Sequence, residues 1–206
     1  MRPRQPPLPP HGTKPCAARI PQHWLMLDAR LEEAGAGEAG LRAALRGLPP
    51  RSAVVVRPAA MTAAQRAAWR RLHFAARARG HRIVAGAGAK GRDRHLSRAE
   101  LRRAPKRRSG FVSAAVHDAQ ELARAGRHGA QALIISRVFA TRSHAGAGTL
   151  GRRGLQRLAA QSRPAKVIAL GGVDAERFRR LRSATIVGWA AIDAWLPRQP
   201  KRHSRA

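Results

Sequence analysis

Short apolar runs that alternate with helix-period segments place the tightest limit on how this chain can fold. The runs are Trp24–Asp28 (WLMLD), Ser52–Arg57 (SAVVVR), His81–Ala85 (HRIVA), a stub at Arg94–Leu96, Gly110–Val116 (GFVSAAV), Ala132–Ser136 (ALIIS), Lys166–Leu170 (KVIAL) and Thr185–Gly188 (TIVG). VVV, LII and VIAL show no polar alternation, as expected of parallel strands buried on both faces. Parallel neighbours require crossovers, and helices supply them. Thr62 with Gln65, Ser97 with Glu100 and Asp118 with Glu121 have the spacing of a capping box ahead of such helices. Asp174 is a further N-cap candidate, and Gly80 and Gly126 sit where helices should stop. Strands in strict alternation with seven or eight helices predict a single-domain α/β fold, the (β/α)8 TIM barrel; a doubly wound open sheet is the alternative. Only the glycine-rich GAGAKGRD segment from Gly86 to Asp93 separates the third and fourth strands, so the third helix must be short or missing.

The length of 206 residues fits one such domain. The barrel is expected over residues 21–196, between a Pro-rich tail (1–20) and a basic C-terminal tail (197–206). The N-terminal tail has charge but no apolar h-region, so it does not read as a secretory signal. It is expected to contribute nothing to the core, and its deletion should leave the melting temperature within error. No run of ~18 apolar residues marks a membrane span. The lone cysteine, Cys16, has no partner for an internal disulfide. A cytoplasmic location is the default that follows. The formal charge of +30 invites a nucleic-acid reading. Against it, the basic residues are scattered through every helix, Tyr is absent, Phe is scarce, and no nucleic-acid-binding motif appears. A solvated Arg-rich surface explains the charge, and such a field also attracts phosphorylated small molecules. A charge-driven nucleic-acid binder stays as the outside alternative. Its signature would be affinity falling steeply between ~50 and ~200 mM salt. Oligomeric state is not readable from the sequence.

In a βα-barrel the site lies where strands end and the following loops begin. After the sixth strand, Thr141 and Ser143 offer hydroxyls, Arg142 a cation, and His144 opens a Gly-rich stretch, together an anion cradle or an ordinary polar loop. Gly171 and Gly172 after the seventh strand would let backbone N–H groups approach a phosphate, or form a plain turn. Gly188 and Ala190, taken as the end of the eighth strand, are small enough to admit a ligand close to the backbone. His117, after the fifth strand, is a candidate general acid or base, or a histidine that merely hydrogen-bonds near a helix start.

The segment VFATRSHAGAGTLG resembles the sixth-strand signature of thiamine phosphate synthases and their thiazole tautomerase relatives. IALGGV is similar to that superfamily's AIGGI, AAVHDAQEL to its S-x-H-(S/T)-x-x-E, WLMLDAR to YLITDR and VVVRP to VQLR, in order over about residues 22–193. The resemblance implies a barrel that couples an aminopyrimidine diphosphate to a thiazole phosphate, releasing pyrophosphate with Mg²⁺. In the tautomerase branch it implies isomerisation of a thiazole carboxylate phosphate by a histidine, without metal. Its implied partners are thus phosphorylated thiazole and pyrimidine small molecules. By motif, Thr141 and Ser143 would contact the thiazole phosphate or pyrophosphate, and His144 occupies the place of a pyrophosphate-binding Lys. Gly171, Gly172 and the backbone near Ala190 would hold the thiazole phosphate, Arg57 would pair with the diphosphate, and His117 matches the tautomerase acid/base. The chain departs from the pattern at Gly86, where synthases carry a metal-binding Asp, and at Val55, Ala59, Ala115 and Ala190. Glu100 is the remaining candidate for a metal carboxylate, and the capping box of its helix explains it equally well. A degenerate barrel that holds phosphate without catalysis is the further alternative.

Overall fold

The structure is a computed structural model that describes residues 19–27, 37–104, 109–141, 148–192 and 194–195. In chain order its elements are β1 (His23–Leu27), α1 (Glu38–Gly47), β2 (Ala53–Val56), a 3-10 turn (Pro58–Ala60), α2 (Ala63–Ala78), β3 (Arg82–Ala85), β4 (Arg94–Leu96), α3 (Arg98–Leu101), β5 (Val112–Val116), α4 (Ala119–Arg127), β6 (Ala132–Ile135), α5 (Gly151–Ala160), β7 (Lys166–Leu170), α6 (Ala175–Leu181) and β8 (Ile186–Ala191). The strands pair in parallel in sequence order and β8 returns to β1, closing an eight-stranded barrel. The fold is therefore the (β/α)8 TIM barrel, and the open-sheet alternative falls. No helix joins β3 to β4, and the described residues form six α-helices.

Two apolar clusters follow from the alternation of side chains along each strand. Trp24, Met26, Ala53, Val55, Val84, Phe111, Ala132, Ile134, Ile168 and Ala190 fill the barrel interior. Trp24 lies between Ala53 and Ala190 in register, so a large ring is matched by small neighbours. Its indole N–H donates to the Pro21 carbonyl at 2.7 Å, which satisfies the one polar atom of its side chain. The alternate residues, among them Leu25, Val54, Val112, Leu133 and Val167, meet Leu41, Leu72, Leu155, Phe178 and other apolar residues of the surrounding helices. At the end of the barrel opposite the mouth, Arg82 pairs with Asp93 at 2.9 Å and stacks over Phe111 at 4.6 Å. Asp93 also accepts the Phe111 N–H at 3.0 Å.

Helix starts follow the sequence closely. Thr62 and Ser97 form complete capping boxes with Gln65 and Glu100, and Asp174 caps α6 by accepting the Arg177 N–H. Asp118 caps α4 by accepting the Glu121 N–H, but its expected box is not completed: the Glu121 carboxylate bonds elsewhere. Gly80 stops α2 with φ +74°, whereas Gly126 lies within α4 and the left-handed stop is Gly129 at φ +68°.

Three further expectations need correction. Ile20 packs against the inner cluster, so the expected tail border fails at its last residue. The rest of that tail, through residue 18, and residues 196–206 lie outside the described residues. The eighth strand does not end near Gly188 but continues to Ala191, with Trp189 packed in the outer cluster and Ala190 in the inner one. Gly188 therefore sits below the mouth, beside the entry to β1. A Cβ there would stand 2.5 Å from the Gln22 carbonyl oxygen and 2.9 Å from Ile168 Cδ1. Its small size serves strand packing, not ligand access. Gly188→Ala is expected to destabilise the fold by about 1–3 kcal/mol through overpacking. Urea denaturation reads this directly, and an unchanged midpoint would show that the Gln22 turn yields freely.

Candidate functional site

The polar residues of the barrel gather where β2 to β7 end. His95 of β4 alternates with the outward-packed Leu96, which directs it inward, and it meets Ser113 of β5 with Nδ1 3.0 Å from Oγ. Both side chains are buried. Burial holds the His95 pKa at about 3, and the nearby Arg57 guanidinium pushes it the same way against a smaller opposing pull from Glu100. The ring is neutral at pH 7. Sequence reasoning passed over His95 because it sits within a stub of only three strand residues. The signal available was a histidine alternating with apolar residues in an inward register.

Arg57 leaves the end of β2 and crosses the end of β3. A Cβ on Gly86 would lie 2.6 Å from Arg57 Cγ and 3.1 Å from the Val56 carbonyl oxygen. The arginine stem thus fills the space that a side chain at position 86 would need. A side chain at position 86, such as the Asp of the family pattern, would require this stem to move.

At the end of β5, His117 is partly exposed and its Nδ1 lies 2.8 Å from Glu121 Oε2. The same oxygen accepts the His117 backbone N–H at 2.9 Å. Arg98, from the start of α3, ion-pairs with the other carboxylate oxygen. The Glu121 side chain is 1 % exposed. An ionised carboxylate only accepts hydrogen bonds, so this contact suits an N–H at Nδ1.

The loops after β6 and β7 interlock on the same end of the barrel. Val138 N–H donates to the Leu170 carbonyl at 3.0 Å and Phe139 N–H to the Gly171 carbonyl at 2.9 Å. Gly171 and Gly172 have φ of +96° and +59°, a region open to glycine at little cost. A Cβ on Gly172 would stand 2.5 Å from the Ala140 carbonyl oxygen, and one on Gly171 3.1 Å from Arg137 Cα. The paired glycines are therefore needed for the two loops to pack. Thr141 follows directly, and its hydroxyl oxygen is buried with no hydrogen-bond partner among the described residues. Arg142, Ser143 and His144 lie outside the described residues. Ala190 faces the interior one residue before the end of β8 and is buried against Trp24.

Among the described residues the donor set does not fit a Mg²⁺ site. Glu100 Oε2 accepts from Ser97 N and Oγ at 2.9 and 2.8 Å, and Oε1 pairs with Arg94 at 3.2 Å. Its carboxylate completes the cap of α3, and the second carboxylate position is the sterically closed Gly86. Among the described residues no three His, Cys, Asp or Glu side chains come together as a metal would require.

Fold and mouth define a closed (β/α)8 barrel with a histidine–carboxylate pair beside glycine-supported loops, the class in which function sits at the C-terminal strand ends. The chain belongs to the thiamine monophosphate synthase family, whose model matches residues 82–195, more than half of its length. The structure is similar to thiamine phosphate pyrophosphorylase from Pyrococcus furiosus, with a TM-score of 0.58 and 21 % sequence identity over 83 % of this chain and 85 % of that one. No curated protein matches. Among the described residues no helix is long and apolar enough to cross a membrane.

The buried neutral His95 sets a stability window. Its folded pKa is depressed below the ordinary value of 6.5, so its neutral burial is uncompromised above pH 6.5. As pH falls from there toward about 3, the unfolded chain takes up a proton that the folded chain refuses, and stability is lost. His23 and His81 are depressed by burial too and add in the same direction. Urea midpoints are expected to fall from pH 7 to pH 4, and His95→Gln should remove the largest single share of that slope. An unaltered slope in the variant would show that His95 is already protonated in the fold.

Proposed function

We propose that this protein acts on a phosphorylated thiazole in thiamine biosynthesis, and that its chemistry is metal-independent proton transfer by His117, of the thiazole tautomerase type. The observation that carries the reading is the Nδ1 contact to Glu121, which leaves Nε2 as the working nitrogen at the mouth. A tautomerisation moves one proton between two atoms of the substrate. Nε2 takes the proton from the first site, the imidazolium is stabilised by the carboxylate behind it, and the proton returns to the second site. No redox partner is needed and no leaving group forms. The loops carrying Gly171, Gly172 and the unpartnered Thr141 hydroxyl would take the phosphate, which suits a small anion approaching backbone N–H groups. The strongly positive chain would assist capture of such a substrate. A cytoplasmic setting goes with this role.

A second reading is favoured by the family itself. There the chain would be a transferase joining an aminopyrimidine diphosphate to a thiazole phosphate with loss of pyrophosphate, as the names of the family and of the Pyrococcus protein describe. Arg57 beside the mouth, with Arg142 and His144, would then neutralise the diphosphate. The poor fit of the carboxylates to a metal weighs against this reading.

One comparison separates the two. His117→Ala is expected to cut turnover of a thiazole carboxylate phosphate about 10²- to 10⁴-fold, the range a positioned acid/base contributes, while EDTA leaves it intact. Thiamine phosphate formed from both precursors with Mg²⁺, abolished by EDTA and indifferent to His117→Ala, would establish the synthase instead. Binding of the thiazole phosphate without turnover in either assay would make the protein a non-catalytic phosphate-binding barrel.

A further inference from the structure

Glu121 occupies a place in its helix that two other residues of this protein also occupy, and it behaves differently from both. In α2 and α3 the third helical residue reaches back to the N-cap amide: Gln65 Oε1 accepts from Thr62 N at 3.1 Å, and Glu100 Oε2 from Ser97 N at 2.9 Å. In α4 the N-cap is Asp118, and the same local geometry would take Glu121 to the Asp118 amide. Its carboxylate passes that amide and goes one residue further, to the backbone N–H and Nδ1 of His117 at 2.9 and 2.8 Å. The cap does not require Glu121, because Asp118 Oδ1 already accepts the Glu121 N–H at 2.8 Å.

Burying a carboxylate this deeply costs stability unless its oxygens are matched. Here Oε2 bonds only on the side of His117, and Oε1, which accepts no hydrogen bond, faces the guanidinium of Arg98, which is 58 % exposed and comes from a different helix. Asp118 lies 3.9 Å from the same guanidinium, so Arg98 stands between two carboxylates. Neutral imidazole has two tautomers, and the hydrogen bond made by one nitrogen decides which nitrogen remains a base. From this arrangement we infer that Glu121 is the positioning residue of His117, fixing the Nδ1–H tautomer and aiming Nε2 at the mouth, with Arg98 holding the carboxylate in place. The inference deepens the proton-transfer reading and rests on it for its catalytic consequence. The tautomer itself is a property of the protein alone.

The test combines two readouts on the full chain. Long-range ¹H–¹⁵N correlation spectra, recorded at a pH where the ring is neutral, should show His117 with a protonated Nδ1 and a bare Nε2. In Glu121→Ala the ring should shift to a mixture or to the Nε2–H form. Glu121→Gln, whose amide oxygen can still accept from Nδ1 and the His117 N–H, should keep the wild-type tautomer and serves where the alanine variant folds poorly. Turnover of the thiazole carboxylate phosphate should fall about 10- to 100-fold in kcat for Glu121→Ala, by analogy with the loss on removing the carboxylate behind a metal-bound histidine. Its KM should hardly move, because the phosphate loops are untouched, and Glu121→Gln should recover part of the loss. A wild-type His117 found in the Nε2–H form, or an Nδ1–H tautomer that survives Glu121→Ala, overturns the inference whatever the activity. If the tautomer responds as expected but His117→Ala retains full turnover, the proton-transfer reading fails while the positioning of His117 by Glu121 is upheld.

Discussion

A parallel strand must find a neighbour for its amides and carbonyls on each side, and in this chain that demand is met by bringing β8 back to β1. His23, Trp24 and Leu25 pair with Trp189, Ala190 and Ala191, and the Trp189 N–H donates to the Gln22 carbonyl at 2.8 Å. Closure removes both sheet edges, encloses the inner cluster around Trp24, and turns alternate residues outward to meet the helices. It also dictates side-chain size. Gly188 is glycine because the β1 entry passes against it, and Ala190 is small because Trp24 fills the adjacent space. Trp195 seals the seam from outside, donating to the Trp24 carbonyl at 3.1 Å and stacking on Trp189 at 4.4 Å.

The closed sheet sets the chemistry of the mouth through what it can bury. Burying a polar side chain inside the sheet costs stability unless it is partnered, and His95 with Ser113 meets that condition as a neutral pair. The arginine beside it raises the cost of protonating His95 further. Where β3 passes directly to β4 without a helix, the short connection leaves room for Arg57 to cross Gly86. The stem of Arg57 thus lies where the family pattern places a metal carboxylate. The exchange follows from backbone and stem packing.

The two halves of the mouth differ in how they are held. The β6 and β7 loops are fixed by backbone bonds between them and by glycines whose φ values other residues adopt only under strain. That suits recognition of a compact anion, where rigid N–H groups need no reorganisation. On the β5 side, one side chain is held by another: His117 is oriented by a buried carboxylate, itself gripped by an arginine from the neighbouring unit. Such an arrangement keeps a base in one tautomer while leaving its ring partly open to solvent.

Much of the fold was legible because local chemistry and tertiary structure agree. Unbroken apolar runs such as VVV and VIAL can only be strands covered on both faces, and Thr62, Ser97, Asp118 and Asp174 start helices through bonds made within a single turn. The missing helix after β3 was visible in the length and glycine content of its connection. The positions of His117 and the paired glycines at strand ends were readable for the same reason, since a strand's end is a local event. What the sequence could not decide depends on contacts distant in the chain. The last residues of β8 are strand because β7 and β1 lie on either side of them. Gly188 serves Gln22, 166 residues away in the numbering of this chain. The steric closure of position 86 belongs to an arginine from another strand. Glu121 illustrates the division most clearly: its spacing marks a helix start, and a capping box is what local geometry offers. The carboxylate is diverted to His117 and set beside the charge of Arg98 only once β5, α3 and α4 are packed together.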